Sequence, residues 1–226
     1  MNGDGNDRDG TIGGGIAGGI GSNTIEGFLD ALASDAATPG GGAVAGLCGA
    51  AGAALISMVC RLTVGREGYE DAEEAMRRYL EEADAARGVF LELADRDAQA
   101  FDAVMSAFKM PKDDDLQKAE RSAAIQRAYE GAARVPLEIA QRAVDLMGSA
   151  KATTELGNVN AASDGLVAAF ALHAATFGAL ANVEINVAAL KDETIARELR
   201  GETEALKTRA EALLSETKAA FSTRLA

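Results

Sequence analysis

The sequence predicts an all-α fold: a bundle of long antiparallel helices with no sheet. Hydrophobic residues make up 48% of the chain, yet Trp is absent and aromatics reach only 4%. Ala and Gly therefore carry the apolar content, which suits closely packed helices better than a sheet rich in Val, Ile and Phe. Apolar positions recur at helical spacing over long windows, and no segment shows the alternation of a half-buried strand. The windows are separated by Gly and Pro clusters, the usual punctuation between helices.

In chain order, residues 1–22 are rich in Gly, Asn and Asp and bury too little apolar surface to offset their ordering entropy, so a disordered tail is expected. Residues 23–226 then form a single domain, because no central Pro/Ser-rich linker divides them. A short helix fits Thr24 to Ala33, with Ile25, Phe28, Leu29 and Leu32 on one side. The turn Thr38-Pro39-Gly40-Gly41-Gly42 follows, then a helix of small residues from Ala43 to Thr63. That run has the length of a membrane span. It consists mainly of Ala and Gly, Arg61 follows it, and Asp30 and Asp35 precede it, so it reads as a buried core helix. Gly65-Arg66-Glu67-Gly68 breaks the pattern before a long amphipathic helix from Tyr69 to Phe108, closed by Met110-Pro111-Lys112. A further helix fits Asp115 to Met147, with Pro136 expected to kink or break it near Arg134. After Gly148 and a break near Gly157 come helices from Asn160 to Leu190 and from Glu193 to Arg224.

Charge and cysteine usage narrow the function. With 35 acidic and 22 basic residues the net charge is −13, which argues against nucleic acid or an anionic membrane as partner. Cys48 and Cys60 are twelve residues apart on one helix, roughly 18 Å along its axis, too far for a disulfide. They read as small buried hydrophobes in a reducing compartment. The N-terminal residues lack the basic and apolar regions of a signal peptide, so a cytoplasmic protein is expected. One histidine and no Cys/His cluster argue against a structural zinc site, and no metal is expected.

Several residues could carry chemistry. Gly40, Gly41 and Gly42 would open a helix whose first N–H groups are unshielded, able to meet a carboxylate, phosphate or carbonyl oxygen. The same glycines would also serve a tight turn between packed helices. Asp97 projects to the centre of the stripe formed by Phe90, Leu93, Ala94, Phe101, Val104 and Phe108. A carboxylate there must pair, cap a neighbouring helix, or take a raised pKa that suits general acid–base work. Asp102 projects away and reads as solvated. Asn158, Asn160, Ser163 and Asp164 cluster at the start of the late helix, where Asn and Asp also serve as caps. Asn182 and Asn186 lie on the same helical face as Asp164, but Asp164 and Asn182 are roughly 27 Å apart along it and cannot touch one small group. His173, near Phe170 and Phe177, reads as a satisfied core histidine, and Arg66, Lys109 and Lys112 as solvated loop charges.

Taken together, Pro39-Gly40-Gly41-Gly42-Ala43-Val44-Ala45 and Met58-Val59-Cys60-Arg61-Leu62-Thr63-Val64-Gly65 resemble the cyclodeaminase/cyclohydrolase family. Asp97-Ala98-Gln99-Ala100-Phe101, Val135-Pro136-Leu137, Gly157-Asn158-Val159-Asn160, Ser163-Asp164 and Asn182-Val183-Glu184-Ile185-Asn186 follow in order. The resemblance runs from about Thr24 to the C-terminus. One departure is Ala43, where the family commonly has serine. The resemblance implies a helical homodimer acting on a one-carbon folate, with the folate as substrate and no metal or redox cofactor. It implies either hydrolysis of 5,10-methenyltetrahydrofolate or cyclodeamination of 5-formiminotetrahydrofolate. The sequence carries no formiminotransferase domain, which favours the hydrolase. A non-catalytic folate-binding or structural dimer is the competing class. Asp97 is the expected acid–base group; Gly40, Gly41, Gly42, Asn158, Asn160, Asp164, Asn182 and Asn186 are the expected ligand contacts, drawn from one subunit or two.

Overall fold

The computed structural model describes residues 19–225. Six α-helices dominate them: α1 (Ile25–Leu32), α2 (Gly41–Arg61), α3 (Glu73–Phe108), α4 (Asp115–Leu156), α5 (Ala162–Val187) and α6 (Glu193–Arg224), with short 3-10 turns and no strand among the described residues. Side chains set the helix starts. Thr24 accepts from the Gly27 N–H before α1, Asp114 from the Gln117 N–H before α4, and Asp192 from the Thr194 and Ile195 N–H groups before α6.

Cross-helix contacts fix the directions. The start of α2 meets late α3 and late α5, through Gly42 against Asp97 and Gly41 against Asn182. Its other end meets early α3 through Arg61–Asp84, and the start of α5 through Leu62 and Asn158. α2 therefore runs antiparallel to both neighbours. Arg96–Glu138 and Glu82–Ser149 oppose α3 and α4, while Lys207–Glu184 and His173–Glu211 oppose α5 and α6. The result is the expected antiparallel bundle.

Its main core joins side chains such as Ile56, Phe90, Leu93, Met147, Leu172 and Leu199, each at most 1% exposed. Helix α2 reaches this core because it is narrow. A Cβ at Gly46 would stand 2.7 Å from Ala94 Cβ and 2.8 Å from the Phe90 carbonyl oxygen, so only glycine lets α2 and α3 approach this closely. By length and hydropathy both α2 and the stretch 159–187 would suffice to cross a membrane, but 61% of the apolar window in α2 is buried inside the bundle. A second cluster of Ile20, Phe28, Ala43 and Ala94 docks α1 beside the start of α2.

Three expectations need correction. Helix α4 shows neither the expected break near Arg134 nor the expected end at Met147: it continues through Pro136 and Gly148 to Leu156, because its buried face from Ala132 to Thr154 packs against neighbours. Residues 1–18 of the expected tail lie outside the described residues. Residues 20–22 form a 3-10 turn, anchored by buried Ile20, whose N–H donates to Asp95 Oδ1 at 2.8 Å. Finally, His173 is half-buried at the α5–α6 seam and not in the core. It stacks on Phe177 with ring centroids 4.5 Å apart, and its Nε2 lies 3.3 Å from Glu211 Oε1.

Candidate active site

A cavity of about 440 Å³ opens where the start of α2, late α3, mid α4 and late α5 converge. Its volume falls in the range of about 300–1,000 Å³ common to small-ligand sites. One wall is the first turn of α2. Gly40 is the N-cap in extended conformation and offers no side-chain cap, and the helical ladder begins with the Val44 N–H on the Gly40 carbonyl at 3.1 Å. The N–H groups of Gly41, Gly42 and Ala43 thus precede the ladder and have no acceptor among the described residues. Ala43 contributes a methyl to this wall where the family resemblance expects a hydroxyl.

Asp97, on α3, faces that turn. A methyl group on Gly42 would overlap its carboxyl, so the glycine is the space the carboxyl occupies. Asp97 has no hydrogen-bond partner among the described residues, and burial pushes its carboxyl up from 3.8 to about 6. The positive end of the α2 dipole acts in the opposite direction. The group is therefore mainly anionic at neutral pH yet close enough to its midpoint to exchange a proton. Asp102, as expected, is exposed.

Late α5 supplies two amides. Asn182 Nδ2 donates to the Gly178 carbonyl at 2.8 Å, and Asn186 Nδ2 donates to the carbonyls of Ala132 at 3.0 Å and Asn182 at 2.8 Å. The Asn186 nitrogen is thus fully used and the Asn182 nitrogen keeps one hydrogen, while both Oδ1 atoms are free acceptors. The remaining wall is apolar: Phe101, Met105 and Phe108 from α3, Tyr129 from α4 and Ile185 from α5. Phe108 and Tyr129 meet edge to face at 6.1 Å.

Of the residues singled out by sequence, Gly40, Gly41, Asp97, Asn182 and Asn186 line this one cavity, with Gly42 directly behind the carboxyl. Asn158, Asn160 and Asp164 stand at the far end of the bundle. Buried Asn158 ties the helix ends together: its N–H donates to Thr63 Oγ1 at 2.8 Å, its Nδ2 to the Leu62 carbonyl at 3.1 Å, and its Oδ1 accepts the Asn160 N–H at 3.0 Å. Asn160 is exposed and Asp164 lies in the first turn of α5. Within one chain these three cannot share a small ligand with Asp97. Tyr129 and Met105 escaped the sequence reading. For Tyr129 a signal existed: it shares a helical face with Ala132 and Pro136, at spacings of three and seven. Among the described residues no group of three or more His, Cys, Asp or Glu side chains converges for a metal ion.

Fold and cavity together define an antiparallel helical bundle that holds a lone carboxylate and two amides against an uncapped helix start. Residues 24–205 match the family model described as formiminotransferase-cyclodeaminase. The chain is 42% identical over 193 residues to methenyltetrahydrofolate cyclohydrolase of Methylorubrum extorquens, covering 85% of this chain and 93% of that protein. It is 36% identical over 170 residues to mouse formimidoyltransferase-cyclodeaminase, covering 75% of this chain but 31% of that longer protein. The crystal structure of a formiminotetrahydrofolate cyclodeaminase from Thermotoga maritima superposes with a TM-score of 0.83 at 32% identity, over 92% of this chain and all of that one. The chain belongs to the formiminotransferase-cyclodeaminase family.

Proposed function

We propose that this protein hydrolyses 5,10-methenyltetrahydrofolate to 10-formyltetrahydrofolate in one-carbon folate metabolism. The observation that carries the proposal is Asp97, a carboxyl raised to about 6 in a cavity that also offers free N–H groups and amide oxygens. The 42% identity to a protein named methenyltetrahydrofolate cyclohydrolase, over nearly all of its length, supports the choice of reaction. In this reading the flat pterin rests on Phe101, Phe108 and Tyr129. The N–H groups of Gly41, Gly42 and Ala43 receive an anionic or carbonyl oxygen of the substrate. Asp97 takes a proton from water as the water oxygen bonds to the methenyl carbon, giving a tetrahedral carbon between N5 and N10. The bond from that carbon to N5 breaks as Asp97 returns its proton to N5, and the hydroxyl proton leaves to solvent. The formyl group remains on N10.

Cyclodeamination is the second reading, favoured by the match to the whole Thermotoga cyclodeaminase chain. There N10 would attack the formimino carbon and Asp97 would pass the proton that lets ammonia leave. Either reaction uses the folate as substrate, and we assign it no metal or redox cofactor. The free thiols Cys48 and Cys60 support a reducing, cytoplasmic setting. The exposed apolar residues Leu47 and Met58 of α2, Leu62 at its C-terminal end, and Val167 and Phe170 of α5 support a homodimer, in which Asn160 and Asp164 would serve the partner's cavity.

The test is absorbance loss of 5,10-methenyltetrahydrofolate with purified protein, measured against the spontaneous rate. Protein-dependent loss is expected, reduced by about 10²-fold or more in Asp97→Asn. No acceleration by the wild type overturns the hydrolase reading, and ammonia release from 5-formiminotetrahydrofolate would then establish the second one.

A further inference from the structure

We infer that Pro136 is a positioning residue for this cavity, acting through the carbonyl of Ala132 on the side chain of Asn186. The functional part of the inference rests on the folate reading above. In an α-helix the carbonyl of residue 132 accepts the N–H of residue 136. Proline has no N–H, yet α4 runs on unbroken through it. The Ala132 carbonyl is thereby released from the helical ladder, in a residue that lines the cavity. A released carbonyl must find another donor or lose the free energy of its hydrogen bond. Asn186 supplies that donor from α5, through Nδ2 at 3.0 Å.

The consequence lies on the other side of the amide. Asn186 Nδ2 gives its second hydrogen to the Asn182 carbonyl at 2.8 Å. An amide nitrogen has two hydrogens, and both are now used. Turning the amide over would set its oxygen against two carbonyl oxygens. The bare Ala132 carbonyl therefore locks the amide with Oδ1 as its unengaged acceptor, suited to an N–H or amino donor such as those on the edge of a pterin. The two helices are held in register at the same end: Gln126 Nε2 donates to the Ala189 carbonyl at 3.1 Å, and its Oε1 accepts the Lys191 N–H at 2.7 Å. Pro136, the least favourable residue for a helix interior, thus sits where its missing donor orients a ligand-facing group. It does not itself line the cavity.

Pro136→Ala tests this, because it restores the helical donor and improves helix propensity. The variant is expected to melt no lower than the wild type, yet to bind tetrahydrofolate about 5–10-fold more weakly, the size of one neutral hydrogen bond. KM for 5,10-methenyltetrahydrofolate rises in parallel while kcat changes less. Asn186→Ala shows a similar loss, and adding Pro136→Ala to it costs nothing more. A second readout needs no folate. In 15N-labelled protein the side-chain NH2 pair of Asn186, assigned by its absence in Asn186→Ala, shifts and exchanges faster in Pro136→Ala. Unchanged NH2 resonances, wild-type affinity in Pro136→Ala, or an equal further loss in the Asn186→Ala background each overturns the inference. A wild type that neither binds nor converts folates would sink the functional reading instead, and the NH2 resonances would still decide whether Pro136 orients Asn186.

Discussion

At the scale of single residues, the Asp97 carboxyl couples stability to pH. Its folded pKa of about 6 lies above the ordinary 3.8 because burial disfavours the anion. Between those two values the folded chain holds a proton that the unfolded chain releases, so stability falls as pH rises through that window and the deficit persists above it. Asp97→Asn removes this slope. Relative to wild type, the variant should gain about 1–2 kcal/mol between pH 5 and pH 7.5 in denaturant titrations. Equal pH dependence of the two proteins would show that the carboxyl is not raised. A base of that pKa also predicts that the enzymatic part of kcat/KM declines below pH 6. Gly42 provides a complementary probe. Alanine there should stabilise an ordinary helix by up to about 1 kcal/mol, but its methyl would overlap the Asp97 carboxyl. Gly42→Ala is therefore expected to lose turnover about as severely as Asp97→Asn and to lower the melting temperature. In an Asp97→Ala background the same change should be neutral or stabilising, and a persisting penalty would place the conflict elsewhere. Asp97 and the glycine turn were readable from sequence because helical periodicity places an acid amid an apolar stripe. The pairing of that acid with one glycine was not, since it depends on how α2 and α3 cross. Nor could periodicity assign Asn158: its spacing suits a ligand contact and a helix-end tie alike, and only the Thr63 and Leu62 partners distinguish them.

At the scale of elements, glycines on α2 play unequal parts. Gly46 lies in the α2–α3 contact, and any side chain there meets Ala94 and the Phe90 backbone, neither of which can give way. Gly46→Val should destabilise by at least about 2–3 kcal/mol through overpacking. Gly131→Ala, on exposed α4 with nothing within 4 Å of the added methyl, should instead stabilise by roughly 0.5–1 kcal/mol. Chemical denaturation of the two variants checks both signs; equal effects would mean that α2 and α3 do not pack so closely. The helices were legible because most apolar windows are long and Gly, Pro or a capping side chain stands near most boundaries. Local propensity does not give the continuity of α4 at either of its weak points. Pro136 costs one intrahelical bond, and Asn186 replaces it from another helix. Gly148 has no side chain, but flanking Met147, Ser149 and Ala150 are all buried against neighbours. Long-range packing overrode local propensity in both places, and a single sequence does not display the partner that does so.

At the scale of the whole molecule, one chain leaves its expected ligand contacts at opposite ends. Asp97, Asn182 and Asn186 share the cavity, while Asp164 lies roughly 27 Å from Asn182 along α5, with Asn160 in the 3-10 turn just before that helix. A twofold-related copy packed on the open stripes of α2 and α5 would resolve this, since an isologous interface repeats each contact and can offer the far end of one chain to the cavity of the other. Leu47, Met58, Leu62, Val167 and Phe170, each 37–50% exposed, supply the apolar surface for it. Leu47→Glu combined with Met58→Glu should convert the protein to a 23.2 kDa monomer by light scattering and abolish turnover while leaving the helical content intact. The sharper experiment mixes two inactive variants, Asp97→Asn and Asp164→Asn, under conditions that let subunits exchange. If each site draws Asp97 from one chain and Asp164 from the other, half of the dimers are mixed and each mixed dimer contains one intact site. About a quarter of wild-type activity should then return on mixing, because the symmetry places both lesions in the other site. No recovery, with exchange verified by mass, would confine the working site to a single chain and leave the Asn158–Asn160 turn before α5 as a helix-end tie alone.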